Sequence, residues 1–169
     1  MRKYVVIIAT VLAFYMDAVL FPLIGSGWFM PEALIALTVS FGVLMGGGSS
    51  AAIGAAVGAI LDILCNKYVG VSSVFLLGAA LLGGIFYNKF YADNIIIPSL
   101  VAAAVMFVKE HVMLIIVLVS GGRISSYLMT LLTHILPSAL LTGGLCAAFH
   151  IILRRVIYDP RRRRDIDNR

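Results

Sequence analysis

Four ionisable residues, Asp17, Asp62, Lys109 and Glu110, stand inside stretches apolar enough to cross a bilayer. Hydrocarbon offers a carboxylate or an ammonium no hydrogen bonds, so such groups turn toward protein or a water-filled cavity and mark assembly contacts, substrate paths or proton relays. Asp62 is the most pointed case. It follows Gly54 and Gly58 at four-residue spacing, which on an α-helix makes one slowly drifting stripe of two bare patches and a carboxylate. Small residues every fourth position let a second helix come close enough to cover the acid. The stripe reads as a helix-packing or partner-docking seam, with Gly70 at its far end and Pro31 and Glu32 as a second docking element.

No catalytic arrangement accompanies these charges. His111, His134 and His150 fall on different turns at different depths, with neither HExxH nor paired-carboxylate spacing, so metal binding is not expected. The run Gly46, Gly47, Gly48, Ser49, Ser50 is neither a phosphate loop nor a nucleophile elbow. Cys65 and Cys146 lie in or beside apolar runs without CxxC or metal spacing and read as small apolar residues. The expectation is a non-enzymatic chain without cofactor or metal.

The elements that must position these residues follow from composition. With 169 residues, 62% of them hydrophobic and 12% charged, and a mean hydropathy of +1.05, the chain lies outside the range of soluble globular domains. The expected fold is an all-α integral membrane protein, a six-transmembrane-helix bundle over residues 1–158 followed by a basic cytoplasmic tail over 159–169. The net charge of +5 comes mostly from the C-terminal end, from Arg154, Arg155, Arg161, Arg162, Arg163, Arg164 and Arg169. These arginines follow directly on a hydrophobic segment, where positive charge anchors a helix on the cytoplasmic side and meets anionic lipid; nucleic acid is a poor partner for them.

The first span, Tyr4–Leu23, carries Asp17 and is retained, since its apolar run is too long for a signal peptide and no small-x-small cleavage site follows. A turn-rich IGSGWF link leads to Pro31, which opens a second helix over 31–45 at its first turn with Glu32 set against the helix N-terminus. The third helix, 50–64, is short and rich in small residues, which points to a segment buried in the bundle. The fourth, 71–87, repeats the small-residue spacing in Ala79 and Gly83 and in Ala80 and Gly84, and an interfacial loop over 87–94 follows it. The fifth runs over 95–120 and is interrupted by Lys109, Glu110 and His111. RISSYLMTLLTH, 123–134, lies along the interface or begins the last span, which kinks at Pro137 and continues to about residue 156 with Ala139, Gly143 and Ala147 at four-residue spacing.

At about 1.5 Å per residue, Asp17, Asp62 and Lys109 lie about 20, 17 and 21 Å in from the N-terminal side. One intramembrane polar cluster of Asp17, Asp62, Lys109 and Glu110 is therefore expected, with Lys109 neutralising Asp62 or Asp17 and Glu110 turned elsewhere. Six spans put both termini on one side, and the distribution of Lys and Arg places that side in the cytoplasm. The chain has no convincing internal repeat, which weighs against a two-repeat transporter.

In this setting the sequence resembles the bacterial rod shape-determining protein MreD family. The resemblance rests on Pro31 and Glu32 opening the second helix, on Gly54, Gly58 and Asp62 followed by a short link to Gly70, and on Leu136, Pro137 and Ser138 opening the last span. It implies a scaffold or regulatory subunit of the cell-elongation complex in the inner membrane, required for rod shape and lateral peptidoglycan synthesis. The implied partners are MreC first, then MreB, RodA and the elongation-specific penicillin-binding protein, directly or indirectly; self-association stays open. It also implies a fold similar to the S-components of energy-coupling factor vitamin transporters, so a small-solute-binding transporter subunit is the alternative.

Overall fold

The computed structural model describes residues 2–24, 30–65, 70–87, 94–121 and 127–157, and all of its secondary structure there is helical. Helix α1 (Arg2–Tyr15) passes through a π-helical turn (Met16–Leu20) into α2 (Phe21–Ile24). Then come α3 (Ala33–Met45), α4 (Gly47–Cys65), α5 (Val71–Ile85) and α6 (Ile96–Val119). Finally α7 (Tyr127–Thr130) runs through a second π-turn (Leu131–Ile135) into α8 (Leu136–Ile157). Among the described residues, four stretches are long and apolar enough to cross a membrane, namely Tyr4–Leu23, Gly47–Leu64, Ile96–Val119 and Tyr127–Arg155, and Ala33–Met45 and Val71–Ile85 are shorter apolar helices. This is a multi-pass membrane protein.

The short helix α3 is the centre. Every residue from Ala33 to Leu44 is buried, as a helix apolar on all sides requires when it has neighbours all round. Helices α4, α5, α6 and α8 pack around it and α1 leans on it. Close approach is secured by glycine: a Cβ on Gly42 would strike the Ala80 carbonyl, and one on Gly83 would lie 2.5 Å from the Val39 carbonyl. Both small-residue rows of α5 are used, since Gly84 meets Gly47 of α4. On α8, Gly143 faces the Ser99 carbonyl and Ala103 of α6.

Two expectations need correction. Helix α4 begins at Gly47, because Gly46 alone, at φ +93°, makes the link from α3. Its 19 residues bury one face only, leaving Ala52, Ala56, Ile60 and Ile63 exposed, so α3 is the enclosed helix. Of the two readings offered for residues 123–134, the described part from Tyr127 onward begins the last span.

Each π-turn ends two residues before a proline, Pro22 or Pro137. Proline has no N–H for the carbonyl four residues back and its ring crowds that carbonyl; widening the preceding turn relieves the clash while the helix continues. At Pro137, where a kink is expected, a π-turn stands on its N-terminal side. The parts of the links at 25–29, 66–69, 88–93 and 122–126, and the tail with Arg161, Arg162, Arg163 and Arg164, lie outside the described residues.

Candidate functional site

The two intramembrane aspartates, Asp17 and Asp62, sit at the starts of α3 and α5. A helix N-terminus leaves backbone N–H groups without intrahelical acceptors, and a membrane supplies no water to take them. Neither N-cap residue serves its own helix: Gly70 has no side chain, and the Glu32 side chain makes no cap bond. An aspartate from an earlier helix does so in both places.

At α5 the provision is local. Asp62, fully buried near the end of α4, accepts hydrogen bonds from the N–H groups of Gly70 (2.9 Å), Ser72 (3.2 Å) and Ser73 (3.1 Å). Gly70 takes φ +98° to bring its own N–H into reach, and the first bond along the helix is Val74 N–H to the Gly70 carbonyl. Gly58 and Gly54 supply the approach. A Cβ on Gly58 would come within 2.5 Å of Ser73 Cα, and one on Gly54 within 2.9 Å of the Leu76 carbonyl. The Ser73 hydroxyl closes the seam by donating to the Ala55 carbonyl at 2.9 Å. A negative charge at a helix N-terminus is also favoured by the helix dipole.

At α3 the provision is distributed. Asp17, turned inward from the π-turn, accepts from Ala33 N–H at 2.6 Å through one oxygen and from Leu34 N–H at 2.8 Å through the other. The Thr142 hydroxyl takes Glu32 N–H and the Ser138 hydroxyl takes Met30 N–H, both at 3.1 Å. Pro31 has no N–H to place. Four consecutive amide donors are thus met by three side chains from two distant parts of the chain. Extended backbone at Glu32 (φ −114°, ψ 109°) sends its side chain away from the helix, where it pairs with Lys109 of α6.

This corrects two expectations. Glu32 precedes α3 as its N-cap residue and leaves the dipole to Asp17, and Lys109 pairs with Glu32 where Asp62 or Asp17 was expected. The single cluster divides accordingly: Asp17, Glu32 and Lys109 meet at the start of α3, while Asp62 is committed to the start of α5. Lys109 is 6% exposed, and Glu32 Oε2 is buried without a hydrogen-bond partner among the described residues.

Helix α6 acts as a hub because successive residues point about 100° apart. Lys109 goes to Glu32, Glu110 lies 3.8 Å from His134 in the second π-turn, and His111 reaches Tyr127 of α7. His111 Nδ1 contacts the Phe107 carbonyl at 2.8 Å, which only accepts, so the ring donates there, and its Nε2 lies 3.0 Å from the Tyr127 hydroxyl. Arg154 and Arg155 form the last turn of α8, where positive charge suits the helix C-terminus.

Sequence reasoning missed Thr142 and the acceptor role of Ser138. Their four-residue spacing on one helix face was the available signal. Cys146 is buried with its sulfur 3.5 Å from the Ser40 hydroxyl, and among the described residues no three His, Cys, Asp or Glu side chains gather as a metal ligand set. Comparison with family models, curated proteins and solved structures returns no match to this chain.

Proposed function

We propose that the protein is a non-enzymatic scaffold subunit of the bacterial cell-elongation complex, similar to MreD, which binds MreC and through it the associated synthesis machinery. One observation supports this above the rest. Six of the nine residues on which the resemblance rests, Glu32, Gly54, Gly58, Asp62, Gly70 and Ser138, lie where helix is joined to helix. Polar groups used in this way make a rigid body, and a rigid body with apolar outer faces suits a membrane scaffold. In this reading the two shorter helices also span, giving six crossings with both termini in the cytoplasm, where the positive-inside rule puts Arg2, Lys3 and the C-terminal arginines.

The second reading, a solute-binding transporter subunit, draws on Glu32 Oε2, buried beside Lys109 without a hydrogen-bond partner among the described residues. Depletion in a rod-shaped host, with recovery of the tagged chain from native membranes, separates the two. Rounded cells and co-recovered MreC support the scaffold. Normal shape, a requirement for one nutrient and a co-recovered ATPase pair would replace it with the transporter subunit.

A further inference from the structure

Helix α1 rests on α3 and stands apart from α4, leaving a groove of about 750 Å³ between them. Its walls are Val6, Thr10 and Val11 on one side and Ser49, Ile53 and Val57 on the other, closed at one end by Met45 and Tyr87. Thr10 and Ser49 spend their hydroxyl protons on their own helices, on the Val6 and Met45 carbonyls, and Tyr87 carries the third hydroxyl at the closed end. The walls offer a guest no free donor, and an occupant lying along them is apolar there.

Length decides which apolar occupant fits. From Ser49 to Val57 the wall rises about 12 Å, under half of the ~30 Å hydrocarbon core. A partner's transmembrane helix needs a seam running most of that thickness, whereas a groove confined to one leaflet matches a lipid chain. Charge sets the head group. The groove lies toward the end of the bundle where α1 begins, and that helix opens with Arg2 and Lys3 in the sequence. Helix α8 runs beside α3 in the same direction, with Thr142 at Glu32 and Cys146 at Ser40, so its last turn, with Arg154 and Arg155, lies toward the end where α3 finishes at Met45. Basic residues at the membrane surface attract anionic lipid.

We propose that this groove holds one acyl chain of an anionic phospholipid from the leaflet on the N-terminal side. Native mass spectrometry of the full chain, purified in mild detergent and supplied with phosphatidylglycerol or phosphatidylethanolamine, tests it. The expected result is one retained phosphatidylglycerol per chain, favoured at least tenfold over phosphatidylethanolamine. Ile53→Trp, which fills the groove, should cut retention at least tenfold, while Val74→Trp on the exposed side of α5 leaves it unchanged. Val11→Trp, on the opposite wall and 63% exposed, serves if Ile53→Trp does not fold. The proposal is overturned by no retained lipid, by equal loss in the groove variant and Val74→Trp, or by a second copy of the chain or another protein's helix in place of the lipid.

Discussion

The starts of α3 and α5 solve one problem in two ways. Both are helix N-termini without a side-chain cap of their own, and both bring an aspartate from an earlier helix to accept the amides. At α5 one residue does the work, eight to eleven positions away in the chain. At α3 the donors are shared among Asp17, Ser138 and Thr142, and Glu32 is freed to pair with Lys109. A local cap forms with the hairpin of α4 and α5. A distributed one forms only when α1, α6 and α8 have all arrived, so it reports on assembly of the whole bundle.

Substitutions can break that contrast, beginning with the largest expected effect. Lys109→Ala leaves the Glu32 carboxylate buried and unpaired, a change of about 3–5 kcal/mol for a broken buried pair. Adding Glu32→Gln should recover much of it, and thermal unfolding in detergent followed by size-exclusion chromatography measures both. Equal melting temperatures for Lys109→Ala and wild type would mean that Glu32 finds solvent and that the α3 seat is not closed. Asp62→Ala strands three amide donors at the start of α5; with about 1–3 kcal/mol for each buried group left unsatisfied and partial relaxation, the net loss should be about 2–4 kcal/mol in the same assay.

Gly58→Ala sharpens the local half. A Cβ there would meet the backbone of Ser73, so α5 must move away from α4, at about 1–3 kcal/mol for overpacking. A double-mutant cycle with Asp62→Ala should be strongly non-additive, because both act on one seam, while Gly58→Ala with Ser138→Ala should be additive within about 0.5 kcal/mol. Ser138→Ala is the mildest, at about 1 kcal/mol for one lost hydrogen bond, since Asp17 and Thr142 still hold the neighbouring amides.

The same contrast explains what could be read from the sequence. The α4–α5 seam was legible because Gly54, Gly58 and Asp62 share a helical stripe and Gly70 follows within one link, so spacing alone brings them together. Its meaning was only half legible: the seam is filled by the chain's own next helix, and nothing in the spacing separates an internal neighbour from a foreign one. The α3 seat could not be read. Its parts lie more than 100 positions apart in the Met30–Ser138 and Glu32–Thr142 bonds, and depth along each helix gave Lys109 the right level without the right rotation. Depth matched it to Asp17 and Asp62, whereas extended backbone at Glu32 delivered a different carboxylate. The π-turns have a clear signal in Pro22 and Pro137, but whether a proline bends, breaks or widens a helix depends on neighbours that reclaim the freed carbonyl.

Hydrogen–deuterium exchange of the Asp62→Ala protein in lipid nanodiscs, followed at peptide level over residues 70–74 and 30–34, tests the central claim most directly. If the intramembrane aspartates are remote caps, the variant loses protection over 70–74, where the N–H groups of Gly70, Ser72 and Ser73 have lost their acceptor, and keeps it over 30–34. Unchanged protection over 70–74, or an equal loss at both helix starts, would contradict the account.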